Sequence, residues 1–163
     1  MILVDTNILS TFARVDELEL LFVLFRGAPF GVTQAVHEEV AKAVAQGCDW
    51  LRQALALRAG GRLVLAEPTA EERLVLPALP RSLAAGEREA IVICQARSCT
   101  FLTNDKRARN FCRELGIPVY DLVGLLRALW EWKVRSLDFV HQLCARMEAA
   151  EGIRLNRDAV FRK

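Results

Sequence analysis

Long apolar runs are missing from this chain of 163 residues: the longest, Leu20 to Phe25, is six residues, far short of the roughly 20 a membrane-spanning helix needs. No membrane partner is expected. Histidine is scarce, with only His37 and His141, and the five cysteines (Cys48, Cys94, Cys99, Cys112, Cys144) are odd in number and contain no C-x-x-C pair. Neither a zinc site nor a disulfide framework reads out. The thiols are expected to be small buried hydrophobes kept reduced in a cytoplasm. No basic stretch precedes the first apolar residues and Asp5 interrupts them at once, so a secretory leader is not expected. Internal repeats and low-complexity tracts are also lacking.

What is present is burial capacity. With 53% apolar and 26% charged residues, the composition is that of a packed chain, not a disordered one. The length suits one domain, read as a core over about 1–135 and a C-terminal helical extension with a basic tail over 136–163. The net charge of +2 conceals an asymmetry: residues 1–105 carry 10 Lys and Arg against 13 Asp and Glu, and residues 106–163 carry 12 against 7. That −3 to +5 gradient hints at an anionic partner near the second half, although solvated helix faces would look the same.

Short aliphatic runs alternate with helical patterns. Met1 to Val4 reads as a buried strand before a helix bearing Ile8, Leu9 and Phe12. Asp16 to Glu19 has capping-box spacing for a second helix, and Phe30 to Val32 reads as a strand before a helix capped by Thr33. A helix over 49–59, a strand over 62–66 and a second capping box at Thr69-x-x-Glu72 follow. From Gly86 the pattern becomes helix (87–97), strand (100–103), helix (106–115), strand (117–120), with helices over 122–133 and about 137–150 closing the chain. The expected architecture is three-layer α/β/α around a mainly parallel sheet of four to five strands.

Four carboxylates stand out. Asp5 and Asp105 each follow an aliphatic strand and precede a helix, and the carboxyl ends of parallel strands are where ligands gather. At 100° per residue Glu39 lies at the edge of the stripe formed by Val36, Val40 and Ala43, whereas Glu38 lies opposite. Glu87 aligns with Ala90, Ile91 and Cys94, and Glu89 points about 160° away. Taken singly these acids read as helix caps or solvated side chains. Gathered together they would repel unless a cation neutralised them, and oxygen donors without imidazole or thiolate select Mg²⁺ or Mn²⁺.

The strings ILVDTNILS, VHEEV, GEREAIVICQA and FLTNDKRAR followed by LGIPVYD resemble, in order and spacing, the four acidic blocks of PIN domains, the fold of VapC-type toxin ribonucleases; GIRLNRDAVFRK resembles the tail of one bacterial and archaeal branch of that family. The resemblance implies a metal-dependent endoribonuclease leaving 5′-phosphate and 3′-hydroxyl ends. It would hold one or two ions through Asp5, Glu39, Glu87 and Asp105, supported by Thr6, Asn7 and Asn104. It also implies a small antitoxin partner and a homodimer. Glu89 competes with Glu87 for the third place, and Asn104 stands where relatives often carry a further acid.

Lys106, Arg109 and Arg113, spaced to share a helix face, and Arg107 beside them are candidates for phosphate contacts. Trp130 and Trp132 cannot share a face, so one is read as core and the other as an interface residue, not as a platform for stacked bases. Two other classes stay open. A non-cleaving nucleic-acid-binding module would keep the acids, with Asn104 as its motive. A phosphatase with Asp5 as nucleophile usually wants a second acid where Asn7 stands, and ranks last.

Overall fold

The computed structural model describes residues 1–162. The elements are β1 (Ile2–Val4), α1 (Thr6–Arg14), α2 (Glu19–Leu24), β2 (Phe30–Thr33), α3 (Gln34–Ala45), α4 (Arg52–Ala59), β3 (Leu63–Ala66), α5 (Ala70–Val75), α6 (Ala85–Arg97), β4 (Thr100–Leu102), α7 (Lys106–Glu114), β5 (Val119–Tyr120), α8 (Leu122–Glu131), α9 (Leu137–Glu151) and α10 (Arg157–Phe161). No helix among the described residues is long and apolar enough to cross a membrane.

The five strands form one parallel sheet in the order β3-β2-β1-β4-β5. The chain winds from β1 outward to β3 and then returns to the other side of β1, so the strand order reverses between β1 and β4. At such a reversal neighbouring loops leave in opposite directions and open a crevice at the carboxyl ends. In β1, Leu3 faces a core layer containing Ile91, Ile93 and Phe101, while Ile2 and Val4 face a larger one with Ile8, Phe12 and Leu126. This period-two alternation feeds two apolar layers from one short strand. The expected α/β/α layering is what the chain adopts.

Residues 136–162 pack into the larger layer. Val140, Leu143, Cys144 and Met147 of α9 and Val160 of α10 are fully buried there. Trp130 Nε1 donates to the Val160 carbonyl over 2.9 Å. The basic segment from Ile153 therefore folds back through α10; Lys163, its last residue, lies outside the described residues. Four cysteines are buried and only Cys48 is partly exposed, all of them free thiols. Burial holds Cys94 above the ordinary thiol range and pushes Cys112 up to about 12.

Two local expectations need correction. Asp16 does not cap α2, which begins at Glu19 without a side-chain cap. Instead Asp16 has φ +59° and closes α1: its N–H donates to Ala13 O and the Glu17 N–H to Phe12 O. That bond pair is a Schellman ending, whose left-handed position Asp tolerates. The last strand is shorter than the expected 117–120, because Ile117 N is spent on Cys112 O at the end of α7 and Pro118 has no N–H to offer.

Gly86 sets the approach of α6 to α3. A Cβ there would lie 2.7 Å from Val36 Cγ2 and 3.6 Å from Thr33 Oγ1. Val36 is buried and β-branched, so it has little room to turn. Gly86→Ala should push the helices apart and cost about 1–3 kcal/mol. Urea unfolding checks this, and an unchanged midpoint would show that the contact is slack.

Candidate metal centre

Asp5 leaves the carboxyl end of β1 at the reversal point. Its N–H donates to Leu102 O of β4 over 2.9 Å, and its carboxylate is 6% exposed. Oδ1 accepts the Thr6 N–H (2.8 Å) and Oδ2 accepts the Thr103 hydroxyl (3.1 Å). Burial pushes its pKa from 3.8 to about 6; the bonds from Thr6 and Thr103 pull it down, and the charges of Glu39 and Asp105 push it further up. Asp5 is thus a carboxylate kept from water among other acids.

Thr103, fully buried, joins two of the four. Besides donating to Asp5, its Oγ1 accepts the Asp105 N–H over 3.2 Å. Asp105 is half-buried and caps α7, Oδ1 accepting the Ala108 N–H (2.8 Å). Glu39, on the exposed side of α3, accepts the Thr6 hydroxyl on Oε2 at 2.8 Å, whereas Glu38 takes the Gln34 amide. Glu87 in the first turn of α6 is 7% exposed, and its Oε2 accepts the Ala84 N–H over 2.8 Å. Its pKa is raised chiefly by burial, opposed by the Ala84 N–H, and raised again by the charges of Asp105, Asp5 and Glu39. Glu89 instead caps α3 through Ala35 N (3.1 Å).

The four acids therefore feel one another. As their side chains stand, no three His, Cys, Asp or Glu among the described residues come close enough together to hold a metal ion. The hydrogen bonds give the reason: Asp5, Glu87 and Asp105 each turn an oxygen onto a backbone N–H and Glu39 leans on Thr6. Uncompensated like charges separate onto the nearest donors. The donor set itself is all oxygen, and burial and mutual repulsion raise two of its members, so a hard divalent cation fits its chemistry.

The other expected residues fall in three groups. Thr6 is buried and bonded to Glu39, while Asn7 is exposed. Asn104 accepts the Leu122 N–H on Oδ1 (3.2 Å) and so supports the start of α8. Lys106 and Arg107 are exposed beside Asp105. Arg109 is committed: Nη1 donates to Asn104 O (2.7 Å) and Nε lies 3.4 Å from Asp121 Oδ2. Arg113, exposed, reaches Asn110 Oδ1 at 3.4 Å. Sequence reasoning missed Thr103 and Asp121. Thr103 opposes Asp5 only through the β1–β4 register, in which Val4 pairs with Leu102, and no local spacing signals a pairing across 98 residues.

Thr103→Val keeps the shape and deletes both bonds. It should cost about 1–3 kcal/mol, since a buried carboxylate loses its donor, and weaken Mn²⁺ binding. Urea unfolding and calorimetric titration measure the two; unaltered Mn²⁺ affinity would leave Thr103 a packing residue only.

The frame for these four acids is thus a parallel α/β sheet whose strand order reverses beside Asp5. A family model described as a PIN domain matches residues 1–162, and the chain belongs to the PIN domain family. Members of that family are generally nucleases, hydrolases of phosphodiester bonds, and generally use divalent metal ions. No curated protein matches the chain.

Proposed function

We propose that this protein is an Mg²⁺- or Mn²⁺-dependent endoribonuclease in which Asp5, Glu39, Glu87 and Asp105 hold the metal. The observation that carries the reading is Asp5: a carboxylate 6% exposed with its pKa at about 6, repelled by Glu39 and Asp105. A divalent ion there would lower the pKa of a bound water and neutralise charge developing on the phosphoryl oxygens. The chain's own part is to aim the oxygens: Thr103 orients Asp5 and Asp105, and Thr6 orients Glu39. Lys106 and Arg107 stand exposed at the start of α7, where they meet the phosphates flanking the cut. RNA as the substrate, and a role as the cytoplasmic toxin of a toxin-antitoxin pair, a homodimer silenced by a small antitoxin, follow the resemblance to VapC-type proteins.

One observation favours a non-cleaving nucleic-acid-binding module: the carboxylates do not converge to metal distance as they stand. Incubating the protein with RNA in Mn²⁺, with a chelator control and the Asp5→Asn variant in parallel, separates the two. Mn²⁺-dependent cutting lost in the variant supports the ribonuclease; binding without cutting sinks it.

A further inference from the structure

The surface feature the acid site leaves unused lies at the opposite end of α8. Trp132, the residue that closes this helix, is 48% exposed and forms one wall of a groove of about 530 Å³ with Phe25, Ala28 and Val134. Its ring is braced edge to face against Phe25 (6.0 Å, 88°) and Tyr120 (6.2 Å, 84°), and Phe25 packs on Phe30 behind. The indole is therefore presented to solvent on a rigid aromatic support. The other two tryptophans spend their ring N–H groups internally, Trp50 on Ser10 Oγ and Trp130 on Val160 O. The Trp132 N–H has no such acceptor among the described residues.

The charge of the groove is one-sided. Arg26 and Lys133 line it and no Asp or Glu does. Both are exposed, and among the described residues neither enters an ion pair. The carbonyl ends of α2 and α8 also face this region, Phe25 and Trp132 being their closing residues; their partial negative charge suits the N–H donors of a base, while the two cations suit phosphate. An aromatic ring flanked by unpaired cations is the combination that binds single strands, by stacking a base and holding its backbone.

We infer that this groove is a second nucleic-acid contact, in which Trp132 stacks on an unpaired base and Arg26 and Lys133 hold adjacent phosphates of the same single strand. The inference rests on the nuclease reading of the acid site. It also reverses the sequence-based expectation for Trp132, because the tandem spacing to Trp130 says nothing of the Phe25–Tyr120 brace. Tyr120, which braces Trp132, precedes Asp121, which pairs with Arg109 beside Asn104. The ten residues of α8 span about 15 Å, roughly the length of four or five stacked nucleotides at 3.4 Å each. A strand bound at both places would have to cover at least that distance.

The test is fluorescence anisotropy of a labelled oligouridylate with the full chain in chelator, so that binding is read without cutting. Trp132→Ala should bind about tenfold more weakly and Trp132→Phe close to wild type. Arg26→Ala with Lys133→Ala should reduce the slope of log affinity against log salt by about 1.4, two phosphates at about 0.7 each. These two residues are exposed and unpaired, so this variant folds even if the tryptophan variant does not. Unchanged affinity and slope overturn the inference. So does a Trp132→Ala variant that converts a dimer to a monomer in sedimentation while RNA affinity holds, since the groove is then a subunit interface. Cleavage in Mn²⁺ is scored alongside: cutting intact without a groove effect overturns the groove alone, and a groove effect without cutting overturns the ribonuclease reading alone.

Discussion

Asp5→Asn should lower Mn²⁺-dependent RNA cleavage by about 10³-fold, equivalent to about 4 kcal/mol at the transition state. Asparagine keeps the size and offers Oδ1 to the Thr6 N–H, while its Nδ2 donates to the Thr103 oxygen, so the cap of α1 survives. What disappears is one negative charge at the centre of the four acids. The loss should therefore fall on metal affinity and turnover, and the far-ultraviolet spectrum should not change. Arrest of growth on induced expression should vanish with it if the protein acts as a toxin. A variant that cuts as fast as wild type would remove Asp5 from the chemistry and the four-acid assignment with it.

The same substitution should stabilise the metal-free protein at neutral pH. In the folded chain Asp5 titrates at about 6 instead of 3.8, so between those values the folded state binds more protons than the unfolded one. Stability then falls as pH rises through that window, by about 3 kcal/mol in all. Glu87, also raised, acts in the same direction. Glu72, lowered by Arg97, acts in the opposite one and loses its contribution as pH falls. The comparison of Asp5→Asn with wild type isolates the Asp5 contribution. Urea unfolding in chelator should show the variant ahead by up to about 3 kcal/mol near pH 7 and the difference gone near pH 4. Adding Mn²⁺ at about a hundred times its dissociation constant should return about 2.7 kcal/mol to wild type and little to the variant. Equal gaps at both pH values would mean that Asp5 is not a repelled carboxylate.

Much of this architecture was readable from local pattern. The aliphatic runs at Ile2–Val4 and Thr100–Leu102 and the caps at Thr33 and Thr69 are short-range signals, and helical phase set buried Glu87 apart from half-buried Glu89; Glu38 and Glu39 are both exposed and differ only in partner, Gln34 against Thr6. Partners distant in the chain were not readable. The Thr103–Asp5 bond needs the β1–β4 pairing, and the brace under Trp132 needs Phe25 and Tyr120 brought from elsewhere. Asp16 misled because aspartate serves both as an N-cap and as a left-handed terminator, and only the two bonds back to Ala13 and Phe12 decide between them. Arg109 misled because a cation on a helix face near a site looks the same whether it meets phosphate or, as here, Asp121 and Asn104.

The uneven burial of the thiols makes the molecule its own labelling construction. A thiol-reactive probe needs an exposed thiolate; Cys94, Cys99, Cys112 and Cys144 are sealed in the interior and Cys48 alone reaches solvent, in the link between α3 and α4. One dye can therefore be attached without deleting any cysteine. It would sit on the link that follows the helix bearing Glu39, placed to report how that helix shifts when ions or RNA arrive.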